Sequence, residues 1–140
     1  MEERPYLLLV EDDPEVLALA AGQLEDAGYQ VARAPNANIA LLLIKEGVPF
    51  HALITDVVLP GLLDGFALAE LARALRPRLG VVYMTGYGEV ARLRARGAAF
   101  GEILAKPCRK DTLLGAVRGL CALGPKTRPP ELREAEALLC

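Results

Sequence analysis

Residues 51–61, His51-Ala-Leu-Ile-Thr-Asp56-Val-Val-Leu-Pro60-Gly61, contain a short apolar run that ends on a carboxylate. Residues 52–55 are compact and mostly apolar, which predicts a buried strand, and Pro60-Gly61 then ends regular structure. In an open α/β sheet, ligands and chemistry gather just beyond the carboxyl ends of the strands. Asp56 occupies that position, although a single aspartate there is more often a solvent-facing loop residue. The other strand ends decide between these two interpretations.

The alternation of strands and helices predicts the fold. Apolar runs predict five strands, at residues 6–10, 30–34, 52–55, 80–84 and 103–105. Helical spacing and capping residues predict helices at residues 14–27, 39–44, 66–75, 89–96 and 111–123. Asp13-Pro14 is a helix start, and Asn36 and Asn38 are alternative caps for the second helix. We therefore predict a three-layer α/β/α sandwich around a parallel sheet.

The same spacing predicts an inner face for the third helix, formed by Leu68, Leu71, Ala72 and Leu75. The first helix carries apolar residues at helical spacing, and the last helix has four apolar positions: Val16, Ala20, Leu24 and Ala27; and Leu113, Leu114, Val117 and Leu120.

Composition limits the classes of function. The chain has 140 residues and a formal net charge of −2, which suits one domain and does not indicate a nucleic-acid partner. Three widely spaced cysteines suggest free thiols rather than a disulfide framework or a zinc site. We find no signal peptide and no bilayer-spanning run, so we expect a cytoplasmic protein without a membrane partner. We predict a domain at residues 1–124 and a tail or short helix at residues 125–140.

Several strand ends carry polar or charged residues. The first strand is followed by Glu11, Asp12 and Asp13, the third by Asp56, the fourth by Thr85 and the fifth by Lys106. Two carboxylates 4 Å apart repel by about 4 kcal/mol at an effective dielectric near 20, so an acidic cluster needs protons or a cation. Oxygen ligands suit a hard ion such as Mg²⁺. His51 lies at the opposite end of its strand and is expected to be structural.

This set of residues suits phosphoryl transfer. A carboxylate beside a divalent ion is a plausible nucleophile toward a phosphoryl group, which predicts that role for Asp56. The Lys106 ammonium would stabilise the developing charge, and the Thr85 hydroxyl would donate to a phosphoryl oxygen.

Four segments together resemble the receiver domain of two-component response regulators, over roughly residues 6–123. They are Leu8-Leu-Val-Glu11-Asp-Asp-Pro14, Leu53-Ile-Thr-Asp56-Val-Val-Leu-Pro60-Gly61, Tyr83-Met-Thr85-Gly86 and Leu104-Ala-Lys106-Pro107. The resemblance implies a flavodoxin-like sheet of order 2-1-3-4-5 and phosphorylation of Asp56 by a histidine kinase or histidine phosphotransfer protein. It implies Mg²⁺ held by Glu11, Asp12, Asp56 and the backbone carbonyl of Val58. It also implies Thr85 as the switch hydroxyl, Lys106 as the phosphate-binding lysine, and a commonly cis Lys106-Pro107 peptide.

Two features depart from the family pattern. Many receivers carry an aromatic residue three positions before the lysine, where this chain has Ile103, and we hypothesise that Tyr87 moves on phosphorylation instead. The segment from Pro60 to Gly65 is one residue longer than the common form and is similar to receivers fused to hybrid histidine kinases. Asp64 in this segment is interpreted as turn chemistry rather than a metal ligand.

The leading hypothesis is a signalling switch without a DNA-binding output domain, whose enzymatic activity is at most self-phosphorylation and self-dephosphorylation. The resemblance implies a target-binding face formed by the fourth helix, fifth strand and fifth helix, on a monomer or weak homodimer. Two interpretations of Leu17 stay open: it contacts a kinase or phosphotransfer helix, or it lies partly buried at the edge of the core.

The alternatives are the receiver portion of a hybrid histidine kinase, a receiver that is never phosphorylated and a flavodoxin-like electron carrier. An electron carrier is disfavoured because Glu11-Asp12-Asp13 would repel a flavin phosphate. An aspartyl phosphatase is disfavoured because Val58 stands where a second acid is needed.

Overall fold

The structure is a computed structural model in which residues 4–86, 89–95, 100–106 and 108–123 are described. The expectations for Tyr87, for the Lys106-Pro107 peptide and for the tail at 125–140 concern residues outside these ranges.

The described residues form one five-stranded parallel sheet with helices on both faces, which confirms the predicted flavodoxin-like α/β/α fold. The strand order is β2-β1-β3-β4-β5. The strands are β1 (Tyr6–Val10), β2 (Gln30–Ala34), β3 (Ala52–Asp56), β4 (Gly80–Gly86) and β5 (Ile103–Lys106). The helices are α1 (Pro14–Asp26), α2 (Ala37–Lys45), α3 (Gly65–Leu75), α4 (Val90–Ala95) and α5 (Lys110–Leu123).

The sheet separates two apolar layers. Core residues of α2, α3 and α4 pack on one face with Leu53 and Tyr83, and those of α1 and α5 pack on the other with Ile54 and Val82. Consecutive side chains of a strand point to opposite faces, so a central strand covered on both sides is apolar throughout. Four of the five residues of β1 are fully buried for this reason.

Side-chain caps fix the starts of three helices. The Asp13 carboxylate accepts hydrogen bonds from the backbone N–H groups of Glu15 and Val16, at 2.9 and 3.3 Å. Asn36, rather than Asn38, caps α2, and Asp64 caps α3 by accepting from Ala67 N–H at 2.8 Å. Such caps satisfy backbone donors that the first turn leaves unpaired. Asp64 is therefore a helix cap, in line with its interpretation as turn chemistry.

The predicted inner face of α3 was partly wrong. Leu71 and Leu75 of α3 are 43% and 48% exposed, because the buried arc of that helix runs through Leu68, Ala69 and Ala72. The helix α1 ends at Asp26, one residue before the predicted end, and Ala27 is its exposed C-cap.

Several boundaries also differ from the prediction. The strands β3, β4 and β5 extend to Asp56, Gly86 and Lys106, because ladder pairing continues through the polar residues that the apolar pattern excluded. The helix α2 begins at Ala37, where the Asn36 cap places its start, and α4 covers residues 90–95. Within the described ranges, no helix has the length and hydrophobicity that a bilayer crossing requires.

Candidate functional site

The parallel arrangement brings the polar ends of four strands together. The central strand β3 lies between β1 and β4, with Val10 opposite Thr55 and Asp56 opposite Met84. Lys106 on the outer strand β5 pairs with Gly86 of β4. Because parallel strands end at the same edge of the sheet, residues separated by 50 and 95 positions in sequence meet there.

Lys106 connects the two buried acids of this edge. Its Nζ donates to Glu11 Oε2 at 2.6 Å and to Asp56 Oδ2 at 2.8 Å, and it also lies 2.8 Å from Asp56 Oδ1. Glu11 is 1% exposed and Asp56 is 5% exposed. The other Glu11 oxygen accepts from the backbone N–H of Asp13 at 3.1 Å. The site is therefore a charge-assisted network sheltered from solvent, in which hydrogen bonds are stronger than at the surface.

The acidic cluster has a donor set that fits a hard divalent cation. Carboxylate oxygens of Glu11, Asp12 and Asp56 all lie within 4.8 Å of one another, and Asp12 is the exposed member of the three. Asp56 Oδ1 is buried and accepts no hydrogen bond, although the Lys106 ammonium, which donates to Oδ2, lies 2.8 Å from it. Because a buried carboxylate oxygen is costly without a partner, the site has unused acceptor capacity. These residues suit Mg²⁺, the ion that the resemblance to receiver domains implies.

The shared environment pushes the pKa values of the two buried acids in opposite directions. Burial, followed by the neighbouring Glu11 carboxylate, raises the pKa of Asp56 to about 7, although Lys106 opposes the rise. Burial would also raise the pKa of Glu11, but the contacts with Asp56 and Lys106 outweigh it and the pKa of Glu11 is lowered. With no cation bound, a proton on this pair of acids is therefore favoured on Asp56 rather than on Glu11.

We expect the stability of the metal-free protein to depend on pH through Asp56. The ordinary pKa of the Asp56 carboxyl is 3.8. Between pH 3.8 and about pH 7, the unfolded chain releases the Asp56 proton while the folded chain keeps it. The stability contributed by that proton is present at low pH and is lost as the pH rises toward 7. The Asp56→Asn variant should gain up to about 1.4 kcal/mol over wild type for each pH unit in this window.

Urea unfolding in EDTA between pH 5 and pH 8 measures this difference. Asp26→Asn, which removes an exposed carboxylate at the end of α1, is the control for the loss of a carboxylate at the surface. A pH-independent difference between Asp56→Asn and wild type would contradict the proposed protonation state.

The remaining predicted residues occupy distinct places. Thr85 is 5% exposed on β4, directly after Met84, the residue that pairs with Asp56. Val58 is 76% exposed in the segment that follows β3. The Asp13 side chain caps α1, and its backbone N–H donates to Glu11 Oε1. His51 lies at the other end of the sheet, where its Nδ1 accepts from Tyr6 N–H at 3.1 Å.

Two supporting residues were not predicted from the sequence. The Thr55 hydroxyl donates to the backbone carbonyl of Asp56 at 2.9 Å, and Gly65 packs against the same carbonyl. A Cβ at position 65 would overlap the Asp56 carbonyl oxygen. The Gly65 N–H also donates to the Val57 carbonyl at 2.7 Å. A glycine at the first turn of a helix was a weak signal, because its significance depends on what the helix start touches.

Comparison with known proteins agrees with the fold. A model of the response regulator receiver domain matches residues 7–118. The chain is similar to the transcriptional regulatory protein TcrA of Mycobacterium tuberculosis, at 32% identity over 134 residues, which are 95% of this chain and 52% of TcrA. It therefore spans about half the length of that relative. It is also similar to the response regulator receiver protein CpdR of Brucella abortus, at 38% identity over 85 residues, which are 61% of this chain and 69% of CpdR.

Solved structures of the same class superpose closely. The response regulator receiver protein of Sinorhizobium medicae gives a TM-score of 0.79 at 28% identity, covering 86% of this chain and 96% of that chain. The CheY-like receiver domain protein of Methanospirillum hungatei gives a TM-score of 0.76 at 28% identity, covering 86% and 95%. By family match, sequence similarity and fold, this chain belongs to the response regulator receiver domain family, the signalling switches of two-component systems.

Proposed function

We propose that this chain is a phosphoacceptor switch in which Asp56 receives a phosphoryl group from a histidine kinase or a histidine phosphotransfer protein. The observation that carries the proposal is the contact of one ammonium, Lys106 Nζ, with both buried acids, while Asp56 Oδ1 accepts no hydrogen bond. This arrangement combines a nucleophile, a positive charge beside it and capacity for a cation in one crevice.

Each residue has a defined role in the proposed transfer. An Asp56 carboxylate oxygen attacks phosphorus, the P–N bond of the phosphohistidine donor breaks, and the electron pair returns to the imidazole. Lys106 holds the transferred phosphoryl oxygens by charge, and Thr85 donates its hydroxyl to one of them. Glu11, Asp12, Asp56 and the Val58 carbonyl would hold Mg²⁺, which supplies positive charge that neutralises phosphoryl oxygens when it is bound.

The wider context of the switch is part of the proposal. Residues 1–124 would form the receiver domain and residues 125–140 a tail or short helix, in a cytoplasmic monomer or weak homodimer. The target protein would bind the face formed by α4, β5 and α5. A receiver portion of a hybrid histidine kinase is the second candidate, supported by the long segment between Pro60 and Gly65, in which Leu62 is fully exposed.

Intact-mass measurement after incubation with acetyl phosphate and Mg²⁺ tests the proposal. We expect wild type to gain the mass of one phosphoryl group and Asp56→Asn to gain none, because the amide is not a nucleophile under these conditions. EDTA should prevent the gain. Asp26→Asn is the control and should be labelled like wild type. An unlabelled wild type, or a labelled Asp56→Asn, would contradict the assignment of Asp56.

A further inference from the structure

The peptide group that joins Asp56 to Val57 is held from two sides. The ladder between β1 and β3 ends with Val10 opposite Thr55, so Asp56 has no register partner on β1. On the β4 side, Val57 N–H donates to the Met84 carbonyl at 2.8 Å. The carbonyl of the same peptide group accepts the Thr55 hydroxyl at 2.9 Å. Both polar ends of this peptide are therefore fixed at the point where the strand ends.

Gly65 restricts the same peptide group from a third direction. Because its Cα packs against the Asp56 carbonyl, that carbonyl cannot rotate toward α3. Gly65 N–H takes the next carbonyl, that of Val57. The backbone is thus constrained as far as Val57, while Val58 directly beyond it is largely exposed.

Packing in this buried strand does not by itself call for a hydroxyl at position 55. Thr55 is fully buried, and by strand alternation it shares a sheet face with the core residues Leu53 and Val57. A valine would suit this buried strand position equally well, whereas a buried hydroxyl is costly unless it is hydrogen-bonded. Its bond reaches the backbone of the very residue that is proposed to react.

We propose that Thr55 is a positioning residue for phosphorylation, whose hydroxyl fixes the orientation of the Asp56–Val57 peptide. That orientation sets the direction of the Asp56 carboxylate and the path of the chain to the Val58 carbonyl. The inference rests on the proposed function, because its consequence is that Mg²⁺ binding and phosphoryl transfer both need the hydroxyl.

Thr55→Val and Thr55→Ser test the role. Thr55→Val keeps the shape and removes the hydroxyl, and it should slow labelling by acetyl phosphate and weaken Mg²⁺ binding by roughly fivefold each, the scale of one hydrogen bond. Thr55→Ser should stay within about twofold of wild type in both measurements. Thr112→Val, which makes the same change at an exposed position of α5, is the control and should match wild type.

Backbone NMR of the metal-free protein supplies a readout that does not depend on phosphorylation. Thr55→Val should shift the Asp56 carbonyl carbon and speed hydrogen exchange of the Val57 amide. If Thr55→Val does not fold, the wild-type hydroxyl proton of Thr55 decides: slow exchange supports its hydrogen bond, and exchange at the rate of a free hydroxyl overturns the inference.

The outcomes separate the two proposals. An unlabelled wild type would contradict the proposed function, and Mg²⁺ titration of the Thr55 variants would still decide the positioning role. A labelled wild type with Thr55→Val equal to it in labelling rate and Mg²⁺ affinity would overturn the inference and leave the proposed function intact.

Discussion

The Lys106→Met variant should transfer a phosphoryl group to Asp56 about 10²-fold more slowly than wild type at saturating Mg²⁺. Methionine approximates the length of the lysine side chain but carries no charge, so the phosphoryl oxygens lose the cation that would hold them. Removal of one preorganised charge-stabilising donor typically costs 10²- to 10³-fold in rate. In the resting protein the same change leaves Glu11 and Asp56 buried together without the ammonium that contacts both.

Time-resolved intact mass with acetyl phosphate measures the rate for this variant. Lys110→Met, which makes the same change at the exposed start of α5, is the matched control and should retain the wild-type rate. A Lys106→Met rate within threefold of wild type would show that the ammonium does not act on the transferred group.

The Gly65→Ala variant should lose about 3 kcal/mol of unfolding free energy and most of its phosphorylation. The added Cβ would overlap the Asp56 carbonyl oxygen, so either α3 or the end of β3 has to move. Overpacking of a close contact typically costs 1–3 kcal/mol and occasionally more, and backbone on both sides leaves little room to relax. The same movement would displace the carboxylate that is proposed to react.

Gly22→Ala is the matched control for this prediction, with urea unfolding as the measurement. Gly22 lies within α1, and a Cβ there would meet no atom within 4 Å. Replacing a glycine inside a helix with alanine should stabilise the protein by roughly 0.5–1 kcal/mol. Equal stability of the Gly65→Ala and Gly22→Ala proteins would show that the close contact at Asp56 is easily relieved.

The residues of the acidic crevice could be predicted because they follow from topology. Asp56, Glu11 and Lys106 each stand at the end of an apolar run, and parallel strands end at one edge of a sheet. The position of Thr85 follows from the same rule. The prediction needed only the order of the strands and no knowledge of how side chains pack.

The supports of the crevice could not be predicted because they depend on close packing. The sequence does not show which group the buried Thr55 hydroxyl would bond. The importance of Gly65 appears only when α3 is placed against β3. The prediction that Leu71 and Leu75 face the core was wrong for a related reason. Helical spacing defines a broad apolar face, and only the arc that touches the sheet becomes buried.

The missing aromatic residue has a structural counterpart that the sequence pattern did not reveal. Ile103 is buried on β5 directly opposite Tyr83 of β4, which is also buried. The Tyr83 ring lies 4.9 Å from that of Phe66 in the first turn of α3. At this level of the sheet the buried aromatic side chain is therefore that of Tyr83 on β4. Burial, followed by the charge of Glu70, raises the pKa of Tyr83 to about 12.

The long sequence separation within the Lys106 network has a consequence for biosynthesis. The ribosome makes Glu11 and Asp56 first, and the cation that pairs with them follows 95 and 50 residues later. A nascent or truncated chain that stops before β5 would hold the acids without their counter-charge. Under the proposed function, such a chain would lack the ammonium that holds the phosphoryl group, so phosphorylation would require β5 to be synthesised first.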